Sequence, residues 1–351
     1  MKTAIGVGGP ASGRQRDFEA IAAFAVEAEK LGVDQAWSAE AWGYDAVTML
    51  AYLAAKTGRI ALGSGILQIS ARVPSMTAMT ALSLDAASGG RFLLGLGASG
   101  PQVVEGLQGQ PFARPISRMR ETIEILRMAF RGEKLHYRGE HFELPRPGGE
   151  GVALRIAQPP NPEIPIWLAT LSPKGLELTG ALADGWLGTS FTPEHAEAHL
   201  VHLRRGAEKA GRRLADLSLC VGAPCAITDD PEPLVAARKP HLAFTLGAMG
   251  SSTTNFYNDA YRRGGFADAA EEVQRLWLAG RRDEAARAVP DEMVRQTTAI
   301  GPESHVRERI RRYRDAGISV FRIEPLGDDP TLRLDTLGRV VEIVRSESAP
   351  R

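Results

Sequence analysis

Residues 60–96, IALGSGILQISARVPSMTAMTALSLDAASGGRFLLGL, hold one full unit of the chain's architecture. Ile60 to Ile66 is a short apolar run that reads as a strand. Residues 75–88 read as a helix, and Arg91 to Leu96 as the next strand, with Gly89-Gly90 between them. The same cycle extends toward the N-terminus. Lys2 to Val7 reads as a strand, and Asp17 to Leu31 as a helix with Phe18, Ile21, Ala25, Ala28 and Leu31 on one face. Gly32 supplies the left-handed residue that ends that helix. Val33 to Ser38 is the second strand and 45–56 the second helix.

Toward the C-terminus the cycle continues. Helix 116–131 spaces Ile116, Met119, Ile123, Leu126 and Phe130 three or four apart. Strand Ile164 to Ala169, helix 173–183, strand Gly185 to Thr189 and helix 193–210 follow. Strand Leu217 to Ile227, helix 302–316, strand Ile318 to Ile323 and helix 331–346 close the series. Eight strands and about eight crossover helices predict a (β/α)₈ TIM barrel. A doubly wound sheet is the alternative, but so many units would normally include a domain break. The chain therefore reads as one domain over residues 1–351, with insertions at about 133–158 and 229–300. Both insertions are candidate walls of a substrate pocket at the C-terminal ends of the strands.

The counts narrow the function. Lys and Arg together number 42, as do Asp and Glu, and charged residues make up 24% of the 351. A balanced charge argues against nucleic-acid binding. Apolar residues make up 44%, as in an ordinary globular core. No stretch approaches a membrane span of about 20 apolar residues. The first residues lack the apolar core of a secretory signal, so a cytoplasmic protein is expected. Cys220 and Cys225, five apart in one strand, face opposite ways and read as core thiols. The seven histidines include no H-E-x-x-H motif, so no metal is expected. There is no Walker loop and no G-x-S-x-G elbow. Gly95-Leu96-Gly97-Ala98-Ser99-Gly100 matches G-x-G-x-x-G, but no long helix follows, so a Rossmann site is rejected.

The strand ends say more. The second strand runs into Ser38-Ala39-Glu40-Ala41-Trp42-Gly43-Tyr44-Asp45, placing carboxylates and an indole where barrels carry catalytic groups. The third ends Leu62-Gly63-Ser64-Gly65-Ile66-Leu67-Gln68, where glycines inside an apolar strand signal a bulge or a close ligand approach. The fifth ends Ala169-Thr170-Leu171-Ser172-Pro173-Lys174-Gly175. That turn reads as a helix cap, or as a phosphate site built from free amides and Lys174.

Together these stretches resemble the luciferase-like monooxygenase superfamily, and within it the branch that uses the deazaflavin coenzyme F420. The longest match runs from Ser88-Gly89-Gly90-Arg91 through Gly109 and Phe112 to Arg120-Glu121. Ala183-Asp184-Gly185-Trp186 and Asn255-Phe256-Tyr257 are further matches. The resemblance implies an oxidoreductase that passes a hydride between the reduced deazaflavin and a small organic substrate. An FMN-dependent monooxygenase is the alternative, and a cofactor-free binding barrel a third reading. It implies a non-prolyl cis peptide at Gly65-Ile66 against one ring face. Cofactor contacts are implied at Glu40, Ser64, Gly65, Ile66, Gln68, Ala98, Ser99, Gly100, Ala169, Thr170, Ser172, Lys174, Gly175 and Thr189. Glu40, Trp42, Asp45 and Glu105 are the groups implied to handle protons. Ala41 and Gly100 stand where the sugar-phosphate dehydrogenases of the superfamily carry His and Glu, so their alcohol-oxidation pair is missing. A homo-oligomer, most simply a dimer, is implied by the resemblance alone.

Overall fold

In the computed structural model, residues 1–8, 18–250 and 254–348 are described. Eight parallel strands follow one another around a closed barrel. They are β1 (Lys2–Gly8), β2 (Gln35–Ala39), β3 (Ala61–Ser64), β4 (Phe92–Gly97), β5 (Ile166–Ala169), β6 (Gly185–Leu187), β7 (Ser218–Ile227) and β8 (Val320–Pro325). Pairing runs in chain order and closes where Lys2 to Ile5 lie beside Val320 to Ile323. The closed ring meets the (β/α)₈ expectation and excludes the open sheet.

The crossover helices are α1 (Phe18–Lys30), α2 (Ala46–Lys56), α3 (Pro74–Ser88), α4 (Pro115–Phe130), α5 (Pro173–Leu182), α6 (Glu197–Lys209), α7 (Glu303–Asp315) and α8 (Pro330–Ser348). Asp17, expected to open the first helix, lies outside the described residues. Gly32 at φ 85° ends α1 in the left-handed region, as its place in the sequence required. The strand expected over Ile60 to Ile66 stops at Ser64, and Leu67–Gln68 pairs separately with β4. Between them lies the Gly65-Ile66 peptide, which is cis. A further short strand, Ala299–Gly301, lies beside β7.

Side-chain alternation sorts each strand into a lumen face and a helix-facing core. Trp37 and Trp167 meet inside the lumen, ring centroids 5.1 Å apart at 65°. Leu187, Cys220 and Val320 surround them. Glycines make that packing possible. A Cβ at Gly63 would stand 2.3 Å from the Trp37 ring, and one at Gly185 would stand 2.2 Å from the Trp167 ring. Gly63 thus answers to an indole beneath the mouth rather than to a ligand, which corrects that part of the sequence expectation. Cys220 and Cys225 are free and buried, as expected. Burial pushes their thiols up to about 11 and about 12.

The N-terminal face of the barrel is tied by polar side chains. Arg91 donates to the carbonyls of Ser88, Ile60, Thr57 and Ala54 and to the Thr57 hydroxyl. Glu29 accepts the amides of Gly58, Arg59 and Ile60. Asp184 accepts the Ile166 amide at 2.7 Å and pairs with Arg127 at 2.5 Å. Arg91 thus closes the last carbonyls of α2 and α3, while Glu29 and Asp184 satisfy amides leading into strands.

The two irregular segments differ. Residues 133–158 follow a helix, and their bonds run along α3 and α4. Glu121 accepts the amides of Glu140, His141 and Phe142, and Gln158 donates to Ser83. Residues 229–300 follow a strand. Their helices, Glu232–Ala248, Phe256–Tyr261, Ala267–Leu278, Arg282–Ala288 and Asp291–Thr297, share an apolar cluster around Leu242, Leu246, Val273 and Met293. No helix among the described residues is long and apolar enough to cross a membrane.

Candidate functional site

Two cavities at the C-terminal strand ends take in candidate site residues. The first, about 140 Å³, is walled by Ile66, by Gly97, Ala98 and Ser99 after β4, and by Ala169, Thr170 and Ser172 after β5. Phe256 and Tyr257 of the helical insertion close its far side. The Ile66 side chain lies over Gly97, where a Cβ would stand 2.7 Å from it. Ser99 sits at φ 59°, in a region few non-glycine residues adopt. Gly100 then caps the short helix Pro101–Val104. Of the three described non-glycine residues with positive φ, two, Ser99 and Ser190, stand at strand ends on this mouth. Such outliers gather where the surroundings impose a conformation for function.

The turn after β5 is a built helix start. Ser172 accepts the Gly175 amide at 3.2 Å, and Pro173 occupies the first helical position. Thr170 shares a 2.7 Å hydrogen bond with Thr179, while its carbonyl accepts the Trp186 indole N–H. A Cβ at Gly175 would press on Ser172 Oγ at 3.0 Å. Lys174 is not part of this cavity. It lines a separate groove between α4, α5 and α6 with Arg120 and Glu177. On a helix, the second residue of the first turn points away from the face that the cap presents. The structure sets Lys174 in that groove, beside the cavity where the sequence expected its charge rather than in it.

Glu40 is held firmly. Arg72 grips it with both nitrogens, Nη1 at 2.5 Å and Nη2 at 2.9 Å, and Glu40 also accepts the Ala46 amide. This pairing holds the Arg72 guanidinium above its ordinary range, against the opposing effect of burial. Two further expectations are corrected here. Ser64 is fully buried and spends its hydroxyl on the carbonyl and the amide of Gly95. Gln68 is buried too, donating to the carbonyls of Glu40 and Ala41 and accepting from Gln108. Both side chains lock neighbouring strand ends and offer no spare polar group to a ligand.

Asp45 caps α2 by accepting the Thr48 amide at 2.9 Å. Burial opposes its charge, but the Thr48 hydrogen bonds and the Arg72 charge prevail and lower its pKa. A carboxyl held ionised in a cap is a poor proton donor. Glu105 is exposed and accepts the Phe112 amide. Trp42 is half exposed. Of the groups expected to move protons, Glu40 and Asp45 both face Arg72 and are spent on an ion pair and a helix cap, and Glu105 ties a loop.

The second cavity, about 110 Å³, lies under the helical insertion. Thr189 opens into it, where the sequence reading had set it near ring or substrate. The sequence reading missed its other principal residues: Arg238 and His241 from helix Glu232–Ala248, and Arg322 and Glu324 from β8. The signal was present. Phe321 and Ile323 alternate with Arg322 and Glu324, so a strand with apolar residues toward the helices must turn two charges into the lumen. None of residues 133–158 lines either cavity, so the expectation of a pocket wall there is corrected. The segment leaves the far end of the barrel, and its residues 140–142 climb back along the outside of α4 to Arg114 and Ser117 without entering either cavity.

Residues 2–319 match the family profile described as luciferase-like monooxygenase. A Mycobacterium tuberculosis protein, provisionally named a coenzyme F420-dependent oxidoreductase, is 41% identical over 88% of this chain and 90% of its own length. The 5,10-methylenetetrahydromethanopterin reductase of Archaeoglobus fulgidus is 28% identical over 90% of this chain and 92% of its own. Among solved structures, the coenzyme F420-dependent tetrahydromethanopterin reductase from Methanopyrus kandleri superposes with a TM-score of 0.80 at 23% identity, covering 99% of both chains.

Proposed function

This chain belongs to the luciferase-like monooxygenase family, and on that footing we propose that it is an oxidoreductase using coenzyme F420 to exchange a hydride with a small organic substrate. The observation that carries the choice of coenzyme is the 41% identity over 88% of the chain to a relative named for it. The first cavity fits such a group. Its wall is apolar at Ile66, Gly97 and Ala98, which suits the edge of a flat ring. Hydroxyls of Ser99, Thr170 and Ser172 and the start of a ten-residue helix suit a phosphate. Its lining has no Asp, Glu, His or Cys, which would suit a metal instead.

When bound, the deazaflavin supplies two-electron hydride chemistry. The chain's own residues do the rest. Ile66 and Gly97 bound one side of the cleft, and Ala98 to Gly100 border its edge. Phe256 and Tyr257 narrow the entrance from the insertion and help to exclude water. Glu40, paired with Arg72 and bonded to the Ala46 amide, sets the geometry of the loop after β2. Gly65, Ala169, Gly175 and Thr189 complete the set of contacts in this reading. The chain works as one barrel domain whose insertion at 229–300 roofs the mouth. We read it as a homo-oligomer; exposed Val73, Met76 and Met79 on one stretch of chain, with Leu154 beside Met79, offer an apolar patch for a second copy.

The test is a side-by-side fluorescence titration with F420 and FMN. Saturable F420 binding with FMN at least tenfold weaker supports the reading. Tighter FMN binding, or oxygen uptake by an FMN-loaded protein, favours the monooxygenase alternative.

A further inference from the structure

The second mouth cavity holds charge that the fold does not consume. Arg322 is turned inward by β8, and the neighbouring strand makes room for it. A Cβ at Gly222 would stand 2.0 Å from the Arg322 carbonyl oxygen and 2.6 Å from its Cβ. Arg238 reaches the same cavity from helix Glu232–Ala248, and its Nε is buried without a hydrogen-bond partner among the described residues. Several other partly buried arginines are paired with carboxylates: Arg72 with Glu40, Arg127 with Asp184, and Arg309 with Glu194. Among the described residues, Arg238 and Arg322 make no hydrogen bond or salt bridge, although Glu324 lines the same cavity. Both side chains are half-buried, and two unpaired, partly dehydrated guanidiniums facing one space suit an anion. His241 adds no charge at neutral pH, because burial and the Arg238 charge hold its pKa below the ordinary value against the pull of Glu324.

We propose that this cavity binds the carboxylate of an anionic organic substrate, with Arg322 and Arg238 as the donors. The proposal rests on the oxidoreductase reading and adds a substrate class to it. The charge balance favours a carboxylate over a phosphate. Two guanidiniums against Glu324 leave one net positive charge, which a monoanion matches and a dianion exceeds. The volume, about 110 Å³, holds a carboxylate head while the rest of the molecule extends over the mouth. Arginine suits the task because its planar fork meets both carboxylate oxygens.

The test is calorimetric titration of the F420-loaded chain, and of the chain alone, with benzoate, benzyl alcohol and phenyl phosphate. Benzoate is expected to bind at least tenfold more tightly than either of the others. Arg322→Gln and Arg238→Gln should each weaken benzoate by about 10- to 150-fold, the range of a charged hydrogen bond. F420 affinity should stay unchanged in both variants. Arg322→Lys, which keeps the charge and a smaller perturbation of the barrel, should lose less than Arg322→Gln. Equal affinity for benzoate and benzyl alcohol, tighter binding of phenyl phosphate, or full benzoate affinity in both Gln variants would overturn the proposal. A chain that binds benzoate through these arginines but no F420 would sink the cofactor reading alone.

Discussion

The two ends of the barrel use polar residues in opposite ways. At the N-terminal end three charged side chains are spent on backbone: Arg91 on four carbonyls, Glu29 on three amides, and Asp184 on an amide besides Arg127. At the C-terminal end Arg238 and Arg322 have no such partners among the described residues, and Ser99 and Ser190 take left-handed backbone. Polar groups at the first end are satisfied by the fold, whereas at the mouth satisfied side chains stand beside two arginines with no partner among the described residues. That contrast separates motif from function. Ser88-Gly89-Gly90-Arg91 and Ala183-Asp184-Gly185-Trp186 carry the sequence resemblance, yet Arg91 and Asp184 serve folding.

The contrast can be broken in four places. Arg91→Ala should have the largest effect. It strips partners from several helix-end carbonyls and should cost about 3 kcal/mol or more of stability, measured by urea denaturation. The F420 affinity of the folded fraction should be unchanged. Gly185→Ala comes next, because its methyl would enter the Trp167 ring; overpacking of that kind costs about 1–3 kcal/mol. A variant as stable as wild type would mean that the lumen is looser than this packing.

His199 gives a pH-dependent test. It is buried beside Trp186 and Phe191, and burial pushes its pKa down to about 4. Above pH 6.5 both folded and unfolded chains carry it neutral, so it contributes nothing to the pH slope. As pH falls from about 6.5 toward 4, the unfolded chain takes up the proton first, so stability declines over that window. His199→Met should flatten the decline between pH 7 and 5, whatever its own stability at pH 7. An unaltered slope would assign the decline to other groups. The smallest effect is expected at Lys174→Ala, since that side chain lies outside the cofactor cleft: F420 affinity should change less than about threefold, well under one charged contact. A loss of tenfold or more would restore Lys174 to the phosphate site.

Much of this was legible in the sequence, for reasons that differ by residue. Strand and helix alternation, with glycines such as Gly32 where helices end, fixes the barrel because those signals are local. Ala98, Ser99, Ala169, Thr170 and Ser172 fall around one cleft because a barrel delivers every strand end to the same face. Ser64, Gln68 and Lys174 were misjudged because a strand end does not say which way its side chains point. Ser64 turns into the sheet, Gln68 ties a loop, and Lys174 turns outward on α5. Residues 133–158 were assigned to the mouth, but they pack along the outside of α4, held by Glu121 and Ser117, and line neither cavity. Arg322 and Glu324 were visible as charges alternating with Phe321 and Ile323. Their meeting with Arg238 depended on how the insertion folds back over the mouth, which no local pattern encodes.

Hydrogen–deuterium exchange with and without saturating F420 tests the division between the two ends most directly. Protection is expected at residues 64–68, 97–104 and 169–176, with no change at 54–61 and 88–92. Protection at the N-terminal end, or none at those mouth segments while F420 is demonstrably bound, would contradict it.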